Sequence, residues 1–295
     1  LANRERLIGL LKGTFAVAVW GASFIATKVA LQDVSPATVV WLRFAMGIVI
    51  LGAFVFLRKE FLLHPPKVLA YFALLGFIGI TLHQWLQSNG LVTAQAFTSA
   101  WIVSTTPIFI AILGWLFLKE YLRLDQIAGI LVATIGVLLV VSKGDLNSIF
   151  QGSFGTPGDL LVLISSPNWA VYCVIARKGL KEHSASLLTF YVILLGWLFS
   201  TPLFFAGPGF GEIQKLTFSG WTAVGFLGIF CSGLAYIYWN DALKAAPASQ
   251  VGALLYIEPL FAVAVAASVI GEHITLGALL GGAIILLGVW MVTRK

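Results

Sequence analysis

Glu258 is followed directly by Pro259 in the middle of an apolar run. The proline removes a backbone donor and frees a carbonyl in the preceding turn. A carboxyl beside broken backbone could bind an amine or exchange a proton. Arg43 lies about a third of the way into another apolar run, where its planar fork could receive a carboxylate. His83, Gln84 and Gln87 occupy a third run, with His83 and Gln87 four apart on one helix face. Ser232, Tyr236 and Asn240 repeat that i, i+4, i+8 spacing further along, beside Trp239. Each candidate also has a structural reading. Glu258 could be a protonated or paired buried acid. Arg43 could hold helix carbonyls or extend to a surface. The polar stripes could join helix to helix.

Aromatic residues surround these positions. Trp20 shares a face with Ser23 and Thr27, Trp101 with Thr105, and Trp169 with Tyr172 and Cys173. Aromatic walls with a few polar groups suit an amphipathic or aromatic metabolite, while plain packing is the alternative for each. The candidate binding set is Trp20, Ser23, His83, Gln84, Gln87, Trp101, Thr105, Trp169, Tyr172, Tyr236, Trp239, Asn240, Tyr256 and Glu258. Arg43, Pro107 and Pro259 complete it as structural or charged positions within the membrane. Trp221 and Trp290, near the ends of their runs, read as interfacial belt residues.

Enzymatic chemistry finds little support. His83 is the only histidine inside an apolar run, so no two-histidine metal motif such as HExxH exists. No GxSxG is present. Spacing would allow Ser23 or Ser232 beside His83, and nothing favours it. No GxxxxGK[ST] occurs, so ATP does not drive this chain. No catalytic residue, metal or cofactor is expected. Cys173 and Cys231 both fall within apolar runs and read as buried thiols.

The elements that must position these residues follow from composition. The chain has 295 residues, of which 59% are apolar and 10% charged, with a mean hydropathy of +0.97. A soluble domain carries about 25% charged residues. That excludes a soluble enzyme, a nucleic-acid-binding domain and a disordered chain, and points to lipid as the main solvent. Cutting at polar clusters, Pro and Gly leaves ten runs of spanning length. They cover about 7–31, 36–57, 68–91, 95–118, 124–142, 158–178, 186–206, 219–243, 247–270 and 275–293. The first is too long for the core of a cleavable signal and reads as a retained helix. The expected fold is an all-α integral membrane protein of ten transmembrane helices.

Charge gives orientation. Fourteen of the eighteen Lys and Arg residues fall at one set of run ends, with Lys28, Lys143 and Lys215 at the other and Arg43 inside a run. The positive-inside rule then places both termini in the cytoplasm. Shifting 98–143 by 152 residues onto 250–295 superposes Pro107 on Pro259, Glu120 on Glu272, Gly129 on Gly281 and Gly136 on Gly288. The same shift pairs Gly76 with Gly228, and a shift of 149 pairs Trp20 with Trp169 and Lys28 with Arg177. Five helices repeat as five, and an odd number inverts the second set. Inverted repeats frame a midplane site in secondary transporters. The expected organisation is a first repeat at 1–143, a linker at 144–157 and a second repeat at 158–295. Gly129, Ala133, Gly136, Gly277 and Gly281 give small-residue faces for close helix packing, or for a dimer. Lys119, Glu120, Glu272 and His273 read as caps and anchors.

Several motifs follow one another in order through the two halves. They are WGASF (Trp20–Phe24), Arg43–Phe44, Pro107, Lys119–Glu120, NWAVY (Asn168–Tyr172), Glu258–Pro259 and Gly271–Glu272. Together they resemble the ten-helix EamA family of the drug/metabolite transporter superfamily, over essentially the whole chain. Bacterial exporters of amino acids and related metabolites, of the aromatic amino acid and paraquat type, are the most similar members. The resemblance implies a central cavity between two halves, with the fifth and tenth helices peripheral. It implies a secondary transporter in the bacterial inner (plasma) membrane that exports amino acids, aromatic ones included, or related metabolites and drugs by alternating access. The partners are then a small-molecule substrate and the lipid bilayer, with no nucleic acid, in a monomer or weak homodimer. A channel-like pore, or an intramembrane enzyme, is the alternative. Pro167, where the family more usually has a small residue, suggests a helix kinked in its own way.

The charge asymmetry makes a topological prediction. A fluorescent protein fused after Lys295 should fold and fluoresce, and alkaline phosphatase fused at Gln32 should be active. The opposite pattern would reverse the orientation.

Overall fold

The computed structural model describes residues 2–94, 96–141, 156–270 and 276–293. Most of the expected linker, together with Lys143, Gly271, Glu272 and His273, lies outside the described residues. All regular structure among the described residues is helical. The helices are α1 (Ala2–Ala30), α2 (Pro36–Leu57), α3 (Pro66–Thr93), α4 (Ala96–Val103), α5 (Thr106–Leu118) and α6 (Leu124–Val141). They continue as α7 (Pro157–Gly179), α8 (Ala185–Ala206), α9 (Phe210–Ile213), α10 (Phe218–Ala245), α11 (Ala248–Ala253), α12 (Glu258–Ile270) and α13 (Leu276–Thr293). Seven helical stretches among the described residues are long and apolar enough to cross a bilayer, the last of them (Ala248–Val265) running through α11 into α12, and three further apolar helices are shorter. Side chains such as Leu11, Val49, Leu131 and Leu286 point outward, uncovered by protein, as a lipid-facing surface requires.

Proline and carboxylates start the helices. Pro36, Pro66 and Pro157 open α2, α3 and α7, where a missing N–H costs nothing. Glu212 accepts hydrogen bonds from the Ser35 N–H, Ser35 Oγ and Thr38 Oγ1 at the start of α2 (2.9, 2.7 and 2.6 Å). Burial pushes the Glu212 carboxyl up, but these donors outweigh it and hold it below the usual carboxylate range. Glu60 plays the same part at the start of α8, accepting from Ser184 and Ser186. Glu120 caps α11 through the Ala248 and Ser249 N–H groups.

The regular helix is interrupted in four places. The run expected at 95–118 is two helices, because Pro107 cannot donate to the turn before it and the chain breaks at Ser104 and Thr105. The run at 247–270 is likewise divided by a 3-10 turn, Leu254–Ile257, just before Glu258 and Pro259. π-helical turns interrupt α3 at Phe77–Leu82 and α10 at Leu227–Leu234. By contrast, α7 runs unbroken through Pro167.

Glycine sets the closest helix contacts. A Cβ on Gly76 would lie 2.6 Å from the Val192 carbonyl and 2.7 Å from the Gly196 nitrogen. A Cβ on Gly228 would meet Met46 and the Arg43 carbonyl. α6 packs along α13, with Gly129 against the Gly288 carbonyl and Gly136 against Gly281. The small-residue stripes therefore face each other inside one chain. The basic run ends meet at one end of the bundle, where Lys12 pairs with Asp241, Arg6 bonds to Gln250 and Lys244 donates to the His183 carbonyl.

Gly129→Ala should destabilise the protein by about 1–3 kcal/mol, because the added carbon would lie 2.8 Å from the Gly288 carbonyl oxygen, which is backbone, and against Met291 and Val292 as well. Gly225→Ala, where nothing lies within 4 Å, should leave thermal unfolding in detergent unchanged or raise it. Equal melting temperatures for the two variants would contradict this packing.

Candidate functional site

The helices surround a cavity of about 590 Å³, its mouth included. α1 contributes Trp20, Ser23, Phe24 and Thr27, and α2 contributes Arg43. α3 supplies His83, Gln84, Gln87, Ser88 and Leu91. Val103, Thr106, Trp169, Tyr236, Leu255 and Glu258 complete the lining. The broken helices matter here: Val103, Thr106 and Glu258 flank a break, and Leu255 lies within one.

The cavity floor is aromatic. The Trp20 ring meets Trp169 and Tyr236 edge-on, at 5.5 Å each, and the His83 ring lies 4.7 Å from Trp169. Trp20 Nε1 donates to the Cys231 carbonyl at 3.1 Å, within the π turn of α10.

Arg43 is held from two sides. Its Nε donates to Ser232 Oγ at 2.9 Å and its Nη1 to Gln84 Oε1 at 3.1 Å. Gln84 Nε2 in turn donates to the Tyr236 hydroxyl at 3.3 Å. No hydrogen bond to a described residue holds Nη2, and no described carboxylate pairs with Arg43. Glu258 is only 5% exposed and makes no hydrogen bond or ion pair with a described residue. One guanidinium and one carboxyl, unpaired with each other, thus border the same small space.

The structure brings together Trp20, Ser23, His83, Gln84, Gln87, Trp169, Tyr236 and Glu258 from the expected set, with Arg43. It places Tyr172, Trp239 and Asn240 elsewhere, fully buried on the basic side of the aromatic floor. There Asn240 Nδ2 donates to the Tyr172 hydroxyl and to Thr189 Oγ1. Thr105 turns back to the Ile102 carbonyl, and the Tyr256 hydroxyl meets Thr134 Oγ1 at 3.0 Å. Pro107 and Pro259 mark the helix breaks and do not line the cavity. The side chain of Trp101 lies outside the described residues. Phe24, Thr27, Ser88, Leu91, Val103, Thr106 and Leu255 also line the cavity, although the sequence reading did not select them. Helical periodicity was the available signal for four of them: Phe24, Thr27, Ser88 and Leu91 each follow a selected residue by four.

The EamA-like transporter family model matches residues 7–142 and 156–294. The chain belongs to the EamA-like transporter family. An uncharacterized transporter of Archaeoglobus fulgidus is 30% identical to it over 94% of each chain. The uncharacterized transporter YyaM of Bacillus subtilis is 28% identical, over 91% of this chain and 88% of its own. A solved crystal structure shares the fold at a TM-score of 0.79 and 20% identity, covering 97% of this chain and 98% of its own. This EamA-like transporter is accordingly a multi-pass membrane protein.

The two charged groups should behave oppositely when neutralised. Arg43→Met leaves the buried Ser232 and Gln84 without their donor and should cost about 1–3 kcal/mol for each group left unsatisfied. Glu258→Gln breaks no bond to a described residue and should leave thermal unfolding nearly unchanged. A large loss from Glu258→Gln would mean that the carboxyl is a structural tie.

Proposed function

We propose that this EamA-like transporter is a secondary carrier for an amino acid with an apolar or aromatic side chain, or a closely related amphipathic metabolite. The observation that carries this reading is the pairing of free charges across one cavity. Arg43 Nη2 would receive a carboxylate, Glu258 an ammonium, and the Trp20, Trp169 and Tyr236 rings the apolar remainder. Transport runs outward by alternating access, in the plasma (inner) membrane, with both termini cytoplasmic as the charge distribution favours.

The carrier has ten transmembrane helices in two inverted five-helix repeats, at 1–143 and 158–295. Reciprocal contacts support that layout. Glu60 and Glu212 differ by 152, Ser35 and Ser184 by 149, and each glutamate caps the serine of the other half. Gly76 abuts the Val192 carbonyl as Gly228 abuts the Arg43 carbonyl, under the same two shifts. Trp20 meets its own counterpart Trp169, and Gln84 bonds to its counterpart Tyr236. A two-fold axis in the membrane plane would pass between the members of such pairs.

Counterflow in proteoliposomes tests the reading, with labelled tryptophan, phenylalanine, leucine and aromatic cations offered in turn. Saturable exchange of an amino acid is expected, as is its loss in Glu258→Gln. Single-channel currents without exchange would overturn the carrier reading. Exchange that responds identically to a pH gradient in wild type and Glu258→Gln would remove any proton role from Glu258.

A further inference from the structure

A separate hollow of about 790 Å³, its mouth included, lies at the basic end. The ends of α2 and α10, the first turns of α1 and the start of α8 enclose it. It is not part of the central cavity. Tyr238 and Asp241, which line it, are half-buried on one side of α10, whereas Tyr236, Trp239 and Asn240 are buried on the other.

Three helices bring the same order of side chains to this hollow. Each has a charged residue at the rim and an aromatic one turn deeper: Lys12 and Phe15 on α1, Arg58 and Phe54 on α2, Asp241 and Tyr238 on α10. The Arg58 guanidinium lies over the Phe54 ring at 4.1 Å, and the Phe15 ring meets Tyr238 at 5.4 Å. Phe15 is 40% exposed, and Ile50, a turn below Phe54, is half-buried. Apolar surface therefore continues from the hollow toward the bilayer centre.

Charge within the hollow is unbalanced. Asp241 neutralises Lys12. Glu60 is engaged by Ser184 and Ser186 at the start of α8 and stands 4.0 Å from Arg58. Lys244 donates to the His183 carbonyl and pairs with no described carboxylate. Three cations thus share two carboxylates, which leaves a place for one more anion.

The fold builds this hollow twice. Pro36, Ala37, Trp85, Asn89 and Leu203 line a smaller one of about 240 Å³. The two repeat shifts pair them with Ala185, Ser186, Ile237, Asp241 and Phe54 of the first. The counterparts of Lys12, Arg58 and Lys244 are Leu161, Gly207 and Val92. Helix packing does not call for the cations, so they answer to what occupies the basic-end hollow.

We propose that this hollow binds an anionic phospholipid. Arg58 and Lys244 meet the phosphate, as basic pockets between spanning helices do. The Tyr238 hydroxyl, which makes no hydrogen bond with a described residue, meets the glycerol and ester groups. An acyl chain lies over Phe15 and toward Ile50. A soluble phosphate would satisfy the cations but not this lipid-facing apolar path. The site stands independently of the carrier reading.

Native mass spectrometry of the full chain in detergent tests this, with phosphatidylglycerol, phosphatidylcholine and glycerol phosphate offered separately. Phosphatidylglycerol should bind about tenfold or more tightly than phosphatidylcholine, and Arg58→Gln/Lys244→Gln should abolish that preference. Arg58 is 60% exposed, so Arg58→Gln alone folds, and it should lose about fivefold. Lys178→Gln/Lys181→Gln, at the same end but outside the hollow, should keep the preference. Equal binding of the two lipids, or equal losses in the two double variants, overturns the site. Glycerol phosphate bound as tightly as phosphatidylglycerol gives the hollow to a soluble anion and overturns the lipid.

Discussion

Arg43 is a cation in the interior of a lipid-embedded helix bundle, and no described carboxylate neutralises it. An arginine at the centre of a spanning helix costs roughly 2.5–3.5 kcal/mol on the insertion scale. Such a residue must be held by polar partners or face water. Here both conditions are met. Ser232 and Gln84 take two of its donors, and the third nitrogen is left to the cavity. Those two partners lie on α10 and α3, so one guanidinium ties three helices together. The π turns occur in these same two helices, just ahead of or around the partner residues. The arrangement of the cavity floor follows, because Gln84 passes the contact on to Tyr236 and Tyr236 packs against Trp20.

The second constraint is backbone satisfaction. In lipid each peptide group must find a partner within the protein, and irregular backbone survives only where it is buried or lines a cavity. The breaks at Ser104–Thr105 and Leu254–Ile257 obey this rule. They bring Thr106 and Glu258 to the cavity wall rather than to lipid. Elsewhere the helices stay regular and approach closely through glycine, above all at α6 and α13. That pair makes no contribution to the cavity lining.

Much of this could be read from residue type and spacing. Apolar run length located the long helices to within a few residues. The Arg43, His83–Gln87 and Glu258 candidates meet in one cavity because helical spacing puts each on a definite face. The sequence pointed to broken backbone at Glu258–Pro259 but not to the break at Ser104–Thr105. Pro107 and Pro259 interrupt their helices, whereas Pro167 does not, because a proline's effect depends on whether neighbouring elements can hold the bent backbone. The π turns left no sequence signal at all. Nor could spacing separate Gln87 and Ser88, which line the cavity, from Trp239 and Asn240, which are sealed. These pairs are equivalent in pattern and differ in whether they line the cavity.

The proposed alternating access makes one demand of the molecule: two equivalent ends, of which one is closed at a time. Paired spin labels read it most directly. Labels at Gln32 and Val92 span one end, and labels at the equivalent Lys181 and Lys244 span the basic end. Double electron–electron resonance in liposomes, with and without a transported amino acid, reports both distances. The account predicts opposite changes, with the 181–244 distance lengthening in the population whose 32–92 distance shortens. Distances that change in the same direction, or that stay fixed while exchange proceeds, would contradict it.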